Sequence, residues 1–235
     1  VRAMDAIEEF VGEKRNKTVD KFVLNGYSKR GWTTWMTAGS GDKRIVAIAP
    51  AVIDILNMQV NVPYQRHMFG DYSAQIGDYV NIGLTEQLVT PEGWEVVRMI
   101  DPYHYRKNHT MPKMVLLGSN DPYWTADAVK NYIDDIPGKS WTAYSVNAGH
   151  GLDDEAITSL EAFFSQSING LKYPQMDYKA KESAEGITLQ FNADKDLLEG
   201  VDIWDSISQN KDFRKCEFKP TKVDGVAHSK HFKVG

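Results

Sequence analysis

Residues 23–33 read VLNGYSKRGWT. Val23 and Leu24 are apolar, a Gly-x-Ser follows at once, and an amphipathic run begins just after. This is the layout of a strand–serine–helix turn that exposes a nucleophile at the edge of a sheet. The usual form of that turn is Gly-x-Ser-x-Gly. Here Arg30 stands where the second glycine belongs, and Gly31 follows one residue late. That glycine lets the helix approach the strand closely, so the reading requires Arg30 to point outward and Gly31 to supply the approach. The competing reading makes Ser28 only the N-cap of a helix over 29–38. Capping accounts for the serine but not for the preceding strand and Gly26.

The surrounding sequence supports a sheet. Met4, Ile7, Phe10 and Val11 are spaced for one helix face. KRIVAIAPAVIDIL (43–56), MPKMVLLG (111–118) and KSWTAYS (139–145) read as further strands, apolar enough for a buried parallel sheet. TADAVKNYIDDIPG (125–138) predicts a helix with Thr125 as N-cap and a Val129, Ile133, Ile136 stripe. LDDEAITSLEAFFSQSING (152–170) predicts another, with acidic residues in its first turn, favourable to the helix dipole, and Gly170 as its stop. The alternation over residues 1–172 is that of an α/β fold with helices on a parallel sheet. About residues 56–110 form a lid-like insert rich in aromatics and amides, with short helices expected at 71–80 and 91–100. From about 173 the texture changes. GITLQFNA (186–193) alternates with period two, and two more short strands follow, which predicts a partial all-β, immunoglobulin- or fibronectin-like domain over 173–235.

Composition narrows the function. The chain has 235 residues, 42% hydrophobic and 25% charged, with a net charge of −5. The basic residues are dispersed, so nucleic acid is not an expected partner. No apolar run approaches the ~20 residues of a membrane span. A single cysteine, Cys216, excludes an internal disulfide and disfavours a thiolate metal site. His67, His104 and His109 fall in the insert, where surface or lid positions are expected. His228 and His231 fall in the tail. None has metal-ligand spacing, so neither a metal nor an organic cofactor is implied.

The polar turns after the strands carry the chemistry, since open α/β sheets place their sites at that edge. The first strand ends in Ser28, the third in GSNDPYW with Asp121, the fourth in NAGHGL with His150. Ser, Asp, His is the chain order of the α/β-hydrolase fold. In that reading Ser28 is the nucleophile, His150 the base, and Asp121 the residue that orients the imidazole. The Lys29 N–H, at a helix start, is placed to donate to an oxyanion. Asn120 is a weaker rival for the acid, and Asp121 alone would read as a turn residue. Tyr27, Tyr64, His67, Tyr103 and Tyr105 are candidate substrate-binding residues.

Four stretches together, NGYSKRGWTTW, DPYHYR, MPKMVLLGSNDPYW and AGHGL, resemble the PhoPQ-activated pathogenicity-related family over about residues 1–215. The resemblance implies an exported, serine-hydrolase-like α/β-hydrolase with a β-sandwich-like tail, and carries the family's Ser, Asp and His onto Ser28, Asp121 and His150. The displaced glycine is also similar to the elbow of glucuronoyl esterases, where the basic residue after the serine is implicated in oxyanion binding; Lys29 occupies that place. Prolyl oligopeptidases and dipeptidyl-peptidases share the triad order but usually carry an aromatic after the serine. The expected substrate is therefore a small molecule, sugar ester or peptide cleaved at an ester or amide bond. The rival is a non-catalytic hydrolase fold that signals or binds a partner. The chain opens at Val1, directly in a helix, and the strands that precede the elbow in this fold are expected to lie outside it. So is the second oxyanion donor. This polypeptide alone is therefore expected to be poorly soluble and weakly active.

Overall fold

The computed structural model describes residues 1–173, 175–183, 186–193, 200–222 and 230–232. They form two compact units, one of residues 1–171 with 207–217, the other of 172–206 with 218–235. The single division expected near 172 is therefore corrected in one respect: residues 207–217 return to the first unit.

The first unit is built on four parallel strands, β1 (Phe22–Tyr27), β2 (Ile45–Ala51), β3 (Lys113–Gly118) and β4 (Ser140–Ser145), in the order β1-β2-β3-β4. Every residue of β3 is buried, as a central strand covered on both faces requires. Helix α1 (Arg2–Arg15) precedes β1, and α2 (Lys29–Gly39) connects it to β2. Trp35 of α2 is fully buried in a core with Ile48, Leu56, Val97, Val115 and Tyr132. Of the apolar face expected on α1, only Met4 is buried; Ile7 and Phe10 are exposed. The helix is tied down by charge instead, with Arg44 bridging Asp5 at 2.6 Å and Glu8 at 2.7 Å.

The insert is more helical than its composition suggests. It holds α3 (Met58–Phe69), α4 (Gly77–Asn81), α5 (Leu84–Gln87) and α6 (Pro91–Ile100). Helix α3 was hidden by Pro63 within it and by its amides and aromatics. His109, expected at the surface, is instead fully buried: its Nε2 lies 3.0 Å from the Trp35 carbonyl, and burial pushes its pKa down to about 4. The helix expected over 125–138 is broken into two 3₁₀ turns, Ala128–Asn131 and Ile133–Asp135, with Tyr132 between them at φ −151°. Thr125 caps nothing; its hydroxyl is buried without a hydrogen bond. The apolar stripe still reaches the core, because Val129, Ile133 and Ile136 all pack there. Helix α7 (Asp154–Asn169) forms as expected, with Asp153 accepting the Ala156 N–H at 2.9 Å and Gly170 ending it at φ 64°.

The second unit contains two antiparallel sheets. One pairs β5 (Met176–Ser183) with β6 (Gly186–Ala193), and β6 with β9 (Lys230–Phe232). The other pairs β7 (Asp202–Asp205) with β8 (Lys219–Lys222). His231 lies in β9, and His228 lies outside the described residues.

Candidate active site

Ser28 sits where the sequence expects a nucleophile. Its N–H donates to the Ala51 carbonyl at 2.9 Å, carrying the β1–β2 ladder one residue past the strand. The chain then turns sharply, with Ser28 at φ 54°, ψ −122°. A non-glycine residue in such a conformation stores on the order of 1–3 kcal/mol of strain, a hallmark of functional turns. The hydroxyl makes no capping hydrogen bond to α2, so helix capping does not account for it. Two glycines make the turn possible. A Cβ on Gly26 would lie 2.4 Å from the Arg30 carbonyl oxygen. A Cβ on Gly31 would lie 2.6 Å from Ile53 Cγ2, 2.9 Å from the Gly26 oxygen and 3.0 Å from the Ala51 oxygen. The late glycine thus supplies the close approach, and Arg30 is exposed. Lys29 opens α2; its exposed ammonium lies 5.8 Å over the Tyr79 ring.

Asp121 and His150 meet across the ends of β3 and β4. The His150 Nδ1 lies 2.8 Å from Asp121 Oδ2 and 3.1 Å from Oδ1. Asp121 is 4% exposed and also accepts the Tyr123 N–H at 2.8 Å. A carboxylate so bound to Nδ1 puts the proton there and leaves Nε2 as the basic nitrogen. The Tyr123 ring stacks on the imidazole with centroids 4.0 Å apart. The His150 Nε2 is buried and has no hydrogen-bond partner among the described residues, so Ser28 and His150 are not joined by a hydrogen bond. Such bonds are often long before substrate arrives. The two turns interlock: Asn120 N–H donates to Ala148 O at 3.0 Å, and Asn147 N–H to Ser119 Oγ at 2.8 Å. Gly118 permits this, because a Cβ there would lie 2.4 Å from the Gly149 oxygen.

Two further side chains brace the Asp121 turn. Gln65 of α3 donates to the Tyr123 carbonyl at 2.6 Å, and Ser73 Oγ to the Pro122 carbonyl at 2.6 Å. Asn120, the rival acid, is otherwise engaged. Its amide donates to the Phe213 and Cys216 carbonyls, both at 2.7 Å, gripping the returning segment 207–217. No local pattern announces these partners; each lies far from Asp121 in sequence.

The candidate binding residues do not converge equally. Tyr27 directly precedes Ser28 and has a buried hydroxyl without a hydrogen bond. Tyr64 donates to Asp127 at 2.7 Å and accepts from Lys130 at 2.8 Å. His67 is exposed. Tyr103 is taken up by a hydrogen bond to Asp135 and by the Arg106 guanidinium 4.1 Å over its ring. Tyr105 packs on Gly39, the last residue of α2, about 15 Å along the helix from the Ser28 turn. Among the described residues no cluster of three or more His, Cys, Asp or Glu side chains is placed to hold a metal, and no helix is long and apolar enough to cross a membrane.

Comparison with known proteins agrees with this architecture. The chain is 30% identical over 226 residues to the autocrine proliferation repressor protein A of Dictyostelium discoideum, covering 91% of this chain and 45% of that protein. It thus spans about half the length of that curated relative. An acetyl xylan esterase from Paenibacillus sp. R4 superposes with a TM-score of 0.53 at 12% identity, over 69% of this chain and 50% of the esterase. An acylaminoacyl peptidase from Pyrococcus horikoshii matches with a TM-score of 0.48 at 14% identity, over 73% and 28%. The match to the esterase shows the fold, that of the α/β-hydrolases. The model of the PhoPQ-activated pathogenicity-related proteins matches residues 1–214, and the chain belongs to that family.

Proposed function

We propose that this protein is a serine hydrolase that cleaves an ester or amide bond through an acyl-enzyme. Ser28 Oγ attacks the acyl carbon, His150 Nε2 takes its proton and later returns it to the leaving group, and Asp121 holds the imidazole tautomer and stabilises its cation. The Lys29 N–H, at the start of α2, donates to the developing oxyanion, and its ammonium adds positive charge nearby. The observation that carries this reading is the His150 Nε2, buried and unpartnered among the described residues while Nδ1 is held by a buried carboxylate. His109 also has a buried nitrogen without a partner, but its other nitrogen meets a backbone carbonyl; at His150 the other nitrogen meets a carboxylate, the pairing that a general base needs. The aromatic, amide-rich insert suits a sugar ester or peptide better than a lipid chain, and the family resemblance supports action outside the cytoplasm.

A binding or signalling role is the second reading. It is favoured by the absence of a hydrogen bond between Ser28 and His150 and by the name of the Dictyostelium relative, a proliferation repressor. A fluorophosphonate probe applied to the full-length protein separates the two. Labelling is expected, and Ser28→Ala should reduce its rate by at least about 10³-fold. A folded protein that does not label supports the binding role instead.

A further inference from the structure

Two buried carboxyls other than Asp121 stand outside the mechanism above: Asp101, which accepts the Asn57, Met58 and Tyr103 N–H groups, and Asp54. Asp54 is 1% exposed, and neither of its oxygens has a hydrogen-bond partner among the described residues. It follows Val52, a β-branched residue held at φ 47° at the end of β2. That conformation is an outlier for valine, and it is pinned from both sides. The Val52 N–H donates to Leu116 O at 2.8 Å, and its carbonyl accepts the Trp124 indole N–H at 3.0 Å. The turn delivers Asp54 into a slot that it shares with Gly118, Asp121, Trp124, Thr125 and Tyr144, too narrow to admit a water molecule. The Tyr132 hydroxyl and Val129 N–H face the carboxyl without reaching hydrogen-bond geometry. The other ionisable groups around it are Asp121, Asp127 with its partner Lys130, and Tyr144, whose hydroxyl donates to Ala126 O.

A buried carboxylate that no cation faces, and whose two nearby donors fall short of hydrogen-bond geometry, is unfavourable, and taking up a proton eases the difficulty. We propose that Asp54 is a positioning residue for the Asp121–His150 pair, taking up and releasing a proton and so setting how much negative charge stands behind Asp121. Burial, reinforced by Asp121 and Asp127, pushes its pKa up to about 7. While Asp54 is neutral, Asp121 is the charge that faces His150. Once Asp54 ionises, a second negative charge favours the imidazolium over the neutral ring. The consequence for catalysis rests on the serine-hydrolase reading; the coupling of charges does not.

The test is a nuclear magnetic resonance titration of His150 in the full chain, with isotope-labelled histidine, in wild type and Asp54→Asn. Wild type should show a second inflection near pH 7. The variant should show one inflection, lower by roughly half a pH unit. Stability gives an independent readout. The folded pKa of Asp54 lies above its ordinary value, so its contribution to stability is fully present below about 3.8 and is lost as pH rises towards and through about 7. Asn does not titrate, so the variant should match wild type in acid and exceed it above neutrality. Superimposable His150 curves overturn the proposal. So does an Asn variant that fails to fold, since Asn reproduces the shape of the protonated acid. Fluorophosphonate labelling of the same samples separates the two claims: without labelling the hydrolase reading fails, and the His150 titration still decides the role of Asp54.

Discussion

The two halves of the candidate site are held by different physics. Ser28 is fixed by shape: a positive-φ turn, two glycines with no room for a Cβ, and a side chain that makes no capping bond. Asp121 and His150 are fixed by hydrogen bonds that link their turns to α3, to the turn after it, to each other and to the returning segment 207–217. A steric constraint is local and falls within a few consecutive residues. A hydrogen-bond network is distributed, and its members stand up to 96 residues apart. The first half should therefore fail all at once when disturbed, and the second by degrees.

The sharpest break is Gly31→Ala. Ile53 could turn aside from the new methyl, but the Gly26 and Ala51 carbonyls, 2.9 and 3.0 Å away, belong to the β1 and β2 backbone. Moving them disturbs the sheet itself. We expect a loss of about 3 kcal/mol, measured by denaturant unfolding, together with loss of fluorophosphonate labelling. Wild-type stability in this variant would mean that the late glycine is not what lets α2 approach, and the steric account of the elbow would fall.

Asn120→Ala probes the other half. The variant loses two hydrogen bonds to segment 207–217 but leaves the Asp121–His150 contact in place. The freed carbonyls can turn to solvent, so the expected loss is about 1–2 kcal/mol. The effect should be regional: faster hydrogen exchange and proteolysis within 207–217, with exchange in β1 and α2 unchanged. Uniform acceleration across the first unit would show that the segment is integral to its core, not a strap latched by one amide.

The same contrast explains what could be read from the sequence. Ser28, Asp121 and His150 each follow a strand whose apolar run is explicit, so their place at one sheet edge was legible without coordinates. Gly31 was legible as well, since only glycine satisfies a close approach at that offset. Gln65 and Ser73 were not, because they act through backbone carbonyls of residues almost sixty and fifty positions away. Helix α3 was obscured by Pro63, whose effect on helix propensity outweighs that of its neighbours. The reverse error occurred at 125–138. The apolar spacing of Val129, Ile133 and Ile136 suits a helix, yet their burial is achieved in 3₁₀ turns while Asp127 is drawn to Tyr64 and Lys130. Tertiary contacts there outweigh local propensity. Asp54 was missed for a related reason: within KRIVAIAPAVIDIL it reads as one polar residue at the end of a strand, and only the Val52 turn brings it beside Asp121.

Lys29 offers the smallest and most specific test, because it belongs to the steric half yet would act by charge. Its ammonium stands near the positive end of α2, an electrostatically unfavourable place, and its contact with Tyr79 at 5.8 Å is a weak offset, on the order of 0.5 kcal/mol at an exposed site. Lys29→Met keeps the stem and removes the charge, so stability should hold or rise by a few tenths of a kcal/mol. If the ammonium assists the oxyanion, kcat/KM towards an activated ester such as p-nitrophenyl acetate should fall by up to about tenfold, carried by kcat and not KM. Added salt should weaken the wild type towards the variant, since an exposed charge is screened. An unchanged kcat/KM would leave the backbone N–H of Lys29 as that residue's whole contribution, and the elbow would then act by shape alone.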